Sequence, residues 1–348
     1  MHKTKISSHT GFQPLREVWL GDVYPESFYD VLLPQDREFF HHITEITRED
    51  LAKIERKLID LGISVRRPEF DRVDNYLDDY DDLCKPPITP RDWALTLGNE
   101  LWVVPQYPGG FTGFETTIKE YQATGEQVQV LDRAKPDDLC YLSGPSTVRV
   151  GRDIFADVPL DDPFEVEQFN SVVDRLAQNY RVHITHSGDH CDGIFCPIAP
   201  GHIFSTHYRE SYQKTFPNWE VFWLPDTTKQ RQFFGGNWWV DGRDYQIYSD
   251  LITKRAQNWV GDFRETVFEV NMLVIDEKNV MCISENEAAL RELERLGITP
   301  HVVDFRARNF WDGGLHCLTV DIEREGECLD YWPGRGDVGI YRYEANSY

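Results

Sequence analysis

Apolar residues recur at helical spacing in three separate stretches, and each stretch runs on into a short β-branched segment. From Arg48 to Leu61 the apolar positions are Leu51, Ile54, Leu58 and Leu61, followed by Gly62 and Ile63-Ser64-Val65. From Glu285 to Leu296 they are Leu290, Leu293 and Leu296, followed by Gly297 and Ile298 to Val303. Phe164 to Leu176 is the third copy, passing through Gln178-Asn179-Tyr180 into Val182-His183-Ile184. Spacings of three and four place such side chains on one helix face. Gly or Asn at the break suits a left-handed helix C-cap, and the residues beyond it suit a strand.

Between these copies lie pairs of apolar runs joined across Gly, Asn or Asp, the signature of a β-hairpin. Trp93 to Pro105 turns at Gly98-Asn99-Glu100, and Thr147 to Val158 at Gly151-Arg152-Asp153. Ile194 to Thr206 turns at Ala199-Pro200-Gly201, and Val267 to Ser284 at Asp276-Glu277-Lys278-Asn279. Glu17 to Leu20 and Leu315 to Ile322 supply two further strands near the chain ends, which can pair as a fifth unit. One supersecondary unit is therefore reused about five times, at intervals too long for a solenoid. The expected fold is a single domain over residues 1–348, a five-module pseudo-symmetric α/β propeller closed by its termini. No Gly-rich strand-to-helix phosphate loop supports a nucleotide-binding sheet. Two stretches fall outside the scheme. Asp71 to Asp82 is acidic and reads as a solvated loop. Thr227 to Tyr245 carries Phe233-Phe234-Gly235-Gly236-Asn237-Trp238-Trp239, a lid over a pocket or a loop docked on the core.

Composition narrows the partners. The chain has 348 residues, 41% hydrophobic, which is ample for a buried core and excludes disorder. Its 36 basic and 59 acidic residues give a net charge of -23. That balance repels phosphate backbones and anionic bilayers, so nucleic acid and membrane are poor partners. A solubilising surface accounts for most of this charge, and attraction of a cationic substrate is a secondary benefit. The opening residues Met1 to Ser8 lack the apolar core of a signal peptide, and no stretch reaches the roughly 18–20 apolar residues of a membrane span. The seven cysteines are odd in number and irregularly spaced, which points to reduced thiols and a cytoplasmic location rather than a disulfide framework. Cys191 and Cys196 have no second pair at zinc spacing, so a metal site is weakly supported.

Three short segments could carry chemistry. Asp312-Gly313-Gly314-Leu315-His316-Cys317 places a cysteine just past a Gly pair at the start of a strand, where close backbone approach and nearby N–H groups can lower a thiol's pKa. A buried structural cysteine is the usual alternative. In His190-Cys191-Asp192-Gly193, an extended backbone would aim His190 and Asp192 at one pocket for acid–base work. The alternative is a surface Asp-Gly turn. His183, His186 and His202 lie nearby and read as structural or exposed. Asp92 in Pro90-Arg91-Asp92-Trp93 would ordinarily be a salt bridge or cap.

Taken in order, these segments resemble the amidinotransferase family, in particular the arginine:glycine amidinotransferases, within a superfamily that also holds arginine deiminases. The resemblance runs from Phe12-Gln13-Pro14-Leu15-Arg16-Glu17-Val18-Trp19-Leu20-Gly21 through Pro90-Arg91-Asp92 with Gly98-Asn99-Glu100, and through Gly151-Arg152-Asp153. It continues with His190-X-Asp192, Asn271-Met272-Leu273-Val274-Ile275-Asp276-Glu277-Lys278 and Gly313-Gly314-Leu315-His316-Cys317. It implies Cys317 as nucleophile, His190 as acid–base, Asp92 and Asp192 as carboxylates gripping a guanidinium, and Arg209 for the donor's carboxylate. It also implies a small-molecule guanidine donor such as arginine, an amine acceptor, and no required metal or organic cofactor; a homodimer is compatible with it. Tyr141 to Ser146 supplies only hydroxyls where the family has an acidic partner for the catalytic histidine. Arg264-Glu265 stands where it has two serines. The expected activity is amidino transfer through a covalent cysteine. The alternatives are an arginine deiminase-like hydrolase and a non-catalytic guanidine-binding homologue, the latter opposed by the joint presence of Cys317, His190, Asp92 and Asp192.

Overall fold

A computed structural model of the chain describes residues 5–70, 85–104, 112–131, 142–157, 163–185, 190–206, 212–224, 259, 269–283 and 286–342. In chain order the strands and helices are β1 (Leu15–Leu20), α1 (Pro34–Asp60), β2 (Ser64–Arg66), β3 (Ala94–Leu97), β4 (Glu100–Val103), α2 (Glu115–Ala123) and β5 (Gln127–Val130). Then come β6 (Thr147–Val150), β7 (Asp153–Asp157), α3 (Pro163–Leu176), β8 (Arg181–Thr185), β9 (Phe195–Ala199), β10 (His202–Ser205), α4 (Tyr212–Thr215) and β11 (Glu220–Trp223). The last are β12 (Leu273–Asp276), β13 (Asn279–Cys282), α5 (Glu287–Arg295), β14 (Thr299–Val302), β15 (Thr319–Arg324) and β16 (Gly339–Arg342).

These elements form five sheets of one design, an antiparallel hairpin whose second strand pairs in parallel with a third strand reached through a helix. The sheets are β3-β4-β5, β6-β7-β8, β9-β10-β11 and β12-β13-β14, with β16 added parallel to β8. The fifth is β15-β1-β2, in which the strands from the two ends of the chain pair antiparallel, Leu20 opposite Thr319 and Val18 opposite Asp321. All four internal hairpins turn where the sequence places them, and the terminal pair closes the set. The segment before β1 ties the modules together through isolated bridges: Ser7 with Glu323, Ser8 with Gly98 and Thr10 with Val150.

Three of the helices end alike. Gly62, Gly125 and Gly297 have φ of 82°, 90° and 75°. In each case the glycine N–H and the one after it bond back to carbonyls of the last turn, as from Gly62 to Ile59 and from Ile63 to Leu58. This reciprocal pair satisfies carbonyls the helix leaves open, and the left-handed residue between them is strained for anything but Gly. Asn179 does not adopt this conformation, contrary to the sequence expectation; α3 ends through Asn179 and Tyr180 N–H bonds to Leu176. Helix α1 begins fourteen residues before the expected Arg48, with Pro34 at its first turn and Phe39, Phe40 and Ile43 extending the buried stripe of Leu51, Ile54 and Leu58. That stripe packs on Val18, Leu20, Tyr24, Phe28, Phe310 and Trp311. The acidic loop 71–82, the aromatic segment 227–245 and His186 lie outside the described residues.

Candidate active site

Each module delivers the residues just before its first hairpin strand to one place. Cys317 precedes β15, Asp92 precedes β3, Ser143 to Ser146 precede β6, His190 to Asp192 precede β9, and Asn271 precedes β12. Segments far apart in sequence converge because the modules repeat, which explains why no local motif contains the whole site.

Cys317 lies in a turn over Leu315 to Leu318 rather than in the strand itself, and only 3% of it is exposed. Its Sγ is 3.5 Å from Asp192 Oδ2 and accepts a hydrogen bond from Asn271 Nδ2 at 3.0 Å. Asp192 Oδ2 also accepts from His316 Nδ1 at 2.7 Å. Asp192 sits in a 3-10 turn, Cys191–Gly193, with His190 at its N-cap, instead of in the extended run expected from sequence. The turn is held by the Asp192 N–H to the Pro145 carbonyl at 3.1 Å, so the serine stretch does lie against the His190–Asp192 turn. Ser143 Oγ and Ser146 Oγ bond to one another at 3.0 Å. Asp92 ends the turn Pro90–Asp92, and its Oδ2 accepts from Thr89 Oγ1 at 2.6 Å.

Arg91 does not pair with Asp92. It is turned inward, where Nε donates to the His316 carbonyl at 2.7 Å and Nη2 to Asp321 Oδ1 at 2.8 Å. Asp321 is buried and also accepts from Arg149 Nη2, Arg324 Nε and Ser8 Oγ, at 2.5, 2.8 and 2.6 Å. Three guanidinium groups on one carboxylate form a polar floor beneath the site, joining the modules of β15, β3 and β6.

The charges set the protonation states. Burial first, then the Asp192 and Asp92 carboxylates, push the Cys317 thiol well above its ordinary pKa. This corrects the expectation that backbone N–H groups lower it: the Cys317 N–H is itself taken by Asn271 Oδ1, at 3.1 Å. Burial and the Arg91 guanidinium push His316 down to about 4, so at neutral pH its ring is uncharged. An ionised carboxylate can only accept, so His316 Nδ1 carries the proton and donates it to Asp192. Burial opposes ionisation of Asp192, but the His316 hydrogen bond and the neighbouring His316, His190 and Arg91 outweigh it and hold the carboxyl below its usual range. The result is a protonated thiol facing an anionic carboxylate, an arrangement that invites a cation.

Of the residues expected from sequence, Cys317 and Asp192 are in contact, His190 adjoins Asp192, and the charge of Asp92 reaches the thiol. Arg209 and Arg264-Glu265 lie outside the described residues. Sequence reasoning assigned no role to Asn271, His316 or Thr89, although the first two stand inside quoted motifs and the third is three residues before Asp92. His183 is structural as expected: it is buried, with Nε2 2.6 Å from Asp153 Oδ1. Among the described residues no group of three His, Cys, Asp or Glu could hold a metal ion, and no helix is long and apolar enough to cross a membrane.

No protein-family model matches the chain. Its fold is that of the inosamine-phosphate amidinotransferase StrB1 from Streptomyces griseus, with a TM-score of 0.66 over 94% of this chain and 99% of that one, at 19% identity. The five-module α/β propeller is therefore the fold this chain shares with StrB1, and its sequence is similar to those of amidinotransferases. Among its homologues is the L-arginine:L-lysine amidinotransferase of Pseudomonas savastanoi pv. phaseolicola, 22% identical over 94% of this chain and 96% of that protein. Another is the mitochondrial glycine amidinotransferase of Xenopus tropicalis, 23% identical over 95% of this chain and 78% of that protein.

Proposed function

We propose that this protein moves an amidino group from arginine or a related guanidine to an amine acceptor, through a covalent intermediate on Cys317. The observation that carries the reading is Asp192 Oδ2, placed between the His316 ring and the Cys317 sulfur in a buried site. A guanidinium held by Asp192 and Asp92 presents its central carbon to the thiol, since two carboxylates match the fork of its N–H groups. Its positive charge cancels the two carboxylates that keep the thiol protonated, so the thiolate forms when the donor arrives and not before.

In the first half-reaction the sulfur bonds to the guanidinium carbon and the C–N bond to the donor's amine breaks. His190 takes the thiol proton and passes it to the departing amine, which is ornithine when the donor is arginine. The acceptor amine then attacks the S-amidino carbon, the C–S bond breaks, and the acceptor's proton returns through His190. Arg209 is the candidate partner for the donor's carboxylate. Arg264-Glu265 and the aromatic segment 227–245 are the candidate acceptor side, where a carboxylate at Glu265 favours a cationic amine over glycine.

Support for transfer over hydrolysis comes from the homologues, whose names are those of transferases. The test is arginine incubated in separate reactions with equal concentrations of glycine, lysine or putrescine, with ornithine and the guanidine products separated by mass spectrometry. New guanidines together with ornithine are expected. Citrulline as the sole product would make the protein a hydrolase, and a clear preference for glycine would overturn the role given to Glu265.

A further inference from the structure

The amide of Asn271 can face Cys317 in only one way. The Cys317 backbone N–H is a donor, so the Asn271 atom 3.1 Å from it must be the carbonyl oxygen, Oδ1. The NH2 group is thereby turned to the sulfur, 3.0 Å away, with the Asp192 carbonyl as a second acceptor at 3.4 Å. Asn271 is fully buried. The loop that carries the nucleophile is built around it: a Cβ on Gly314 would come within 2.5 Å of Asn271 Oδ1 and 2.6 Å of its Cβ. The second glycine of the Gly-Gly pair is therefore the residue that lets this amide lie against the nucleophile's own turn.

We infer that Asn271 is a catalytic residue whose NH2 group stabilises the Cys317 thiolate by a hydrogen bond, while its carbonyl fixes the nucleophile's backbone. The surroundings make such a donor necessary. Burial and the carboxylates Asp192 and Asp92 favour the protonated thiol, and the Asn271 hydrogen bond opposes them, favouring the thiolate. Hydrogen bonds to a charged group are stronger than those to a neutral one, so this contact strengthens as the proton leaves and again when the thiolate is expelled. A donor that gains strength as charge develops lowers the barrier, which a contact of constant strength does not.

The inference deepens the proposed amidino transfer but is tested without turnover. The full-length chain is alkylated with iodoacetamide over a range of pH, with modification at Cys317 read by peptide mass spectrometry so that other cysteines do not interfere. In Asn271→Ala the rate profile is expected to move to higher pH, with a rate at pH 8 about tenfold lower than wild type. In Asn271→Asp, nearly the same shape, a carboxylate replaces the donor and the rate is expected to fall further. If Asn271→Ala does not fold, the Asp variant alone decides. A profile unchanged in a folded variant overturns the inference whatever reaction the enzyme performs.

Discussion

Replacing Asp192 by Asn should change two properties in opposite directions. Asp192 Oδ2 lies 3.5 Å from the sulfur and the residue is 4% exposed, so its charge is weakly screened. A charge-assisted hydrogen bond to a guanidinium is worth about 1.5–3 kcal/mol, so KM for the donor should rise roughly ten- to hundredfold. The same charge is among the forces that keep the thiol protonated, and a unit charge at that range is worth up to about 5 kcal/mol at an effective dielectric of about 20. Without it the free thiol ionises more readily, and alkylation by neutral iodoacetamide at pH 8 should speed up by about tenfold. Asn still offers an oxygen to His316 Nδ1, so the fold is expected to persist. Steady-state kinetics and site-resolved alkylation on one preparation provide the assay. A KM and an alkylation rate that both stay unchanged, or that fall together with the folded fraction, would refute the proposed role of Asp192 in gripping the donor and keeping the thiol protonated.

Asp321→Asn should cost about 3–5 kcal/mol of stability, read from thermal or denaturant unfolding, because it leaves Arg91, Arg149 and Arg324 buried around a neutral group. The Asp321 pKa lies well below its usual value despite burial, because of Arg149, Arg324 and Arg91, so its stabilisation is present above about pH 4 and lost as pH falls through the folded-state value. The variant should lack that component of the acid unfolding limb. His316→Gln should raise KM for the donor about two- to tenfold with little change in melting temperature, since it loosens the Asp192 carboxylate without removing its charge. An unchanged KM would make His316 a packing residue.

The repeated unit was legible because hairpins announce themselves through paired apolar runs across Gly, Asn or Asp, and Gly62 and Gly297 mark helix ends. What stayed hidden has physical causes. The first half of α1 was missed because Phe39, Phe40 and Ile43 alternate with His41 and His42, which blurs the stripe. Helix α2 buries only Thr117, Ile118 and Tyr121, too few apolar positions for a period to emerge. The inward turn of Arg91 has no sequence signal because its partners, Asp321 and the His316 carbonyl, lie more than two hundred residues away in sequence. Cys317 and Asp192 could be named as a pair through the resemblance, yet the link between them, His316, is a contact across 124 residues that no spacing encodes. Asn271 stood at the head of an apolar strand, where a lone polar residue ordinarily reads as a cap.

The central claim, an S-amidino intermediate on Cys317, is tested most directly by intact mass. The wild-type chain is mixed with arginine in the absence of any added amine, quenched in acid, and digested to locate the modification. An increase of one amidino group, mapped to Cys317, absent in Cys317→Ser and discharged by a later addition of amine, is the predicted result. An adduct on another cysteine, or arginine turnover that continues in Cys317→Ser, would contradict the account.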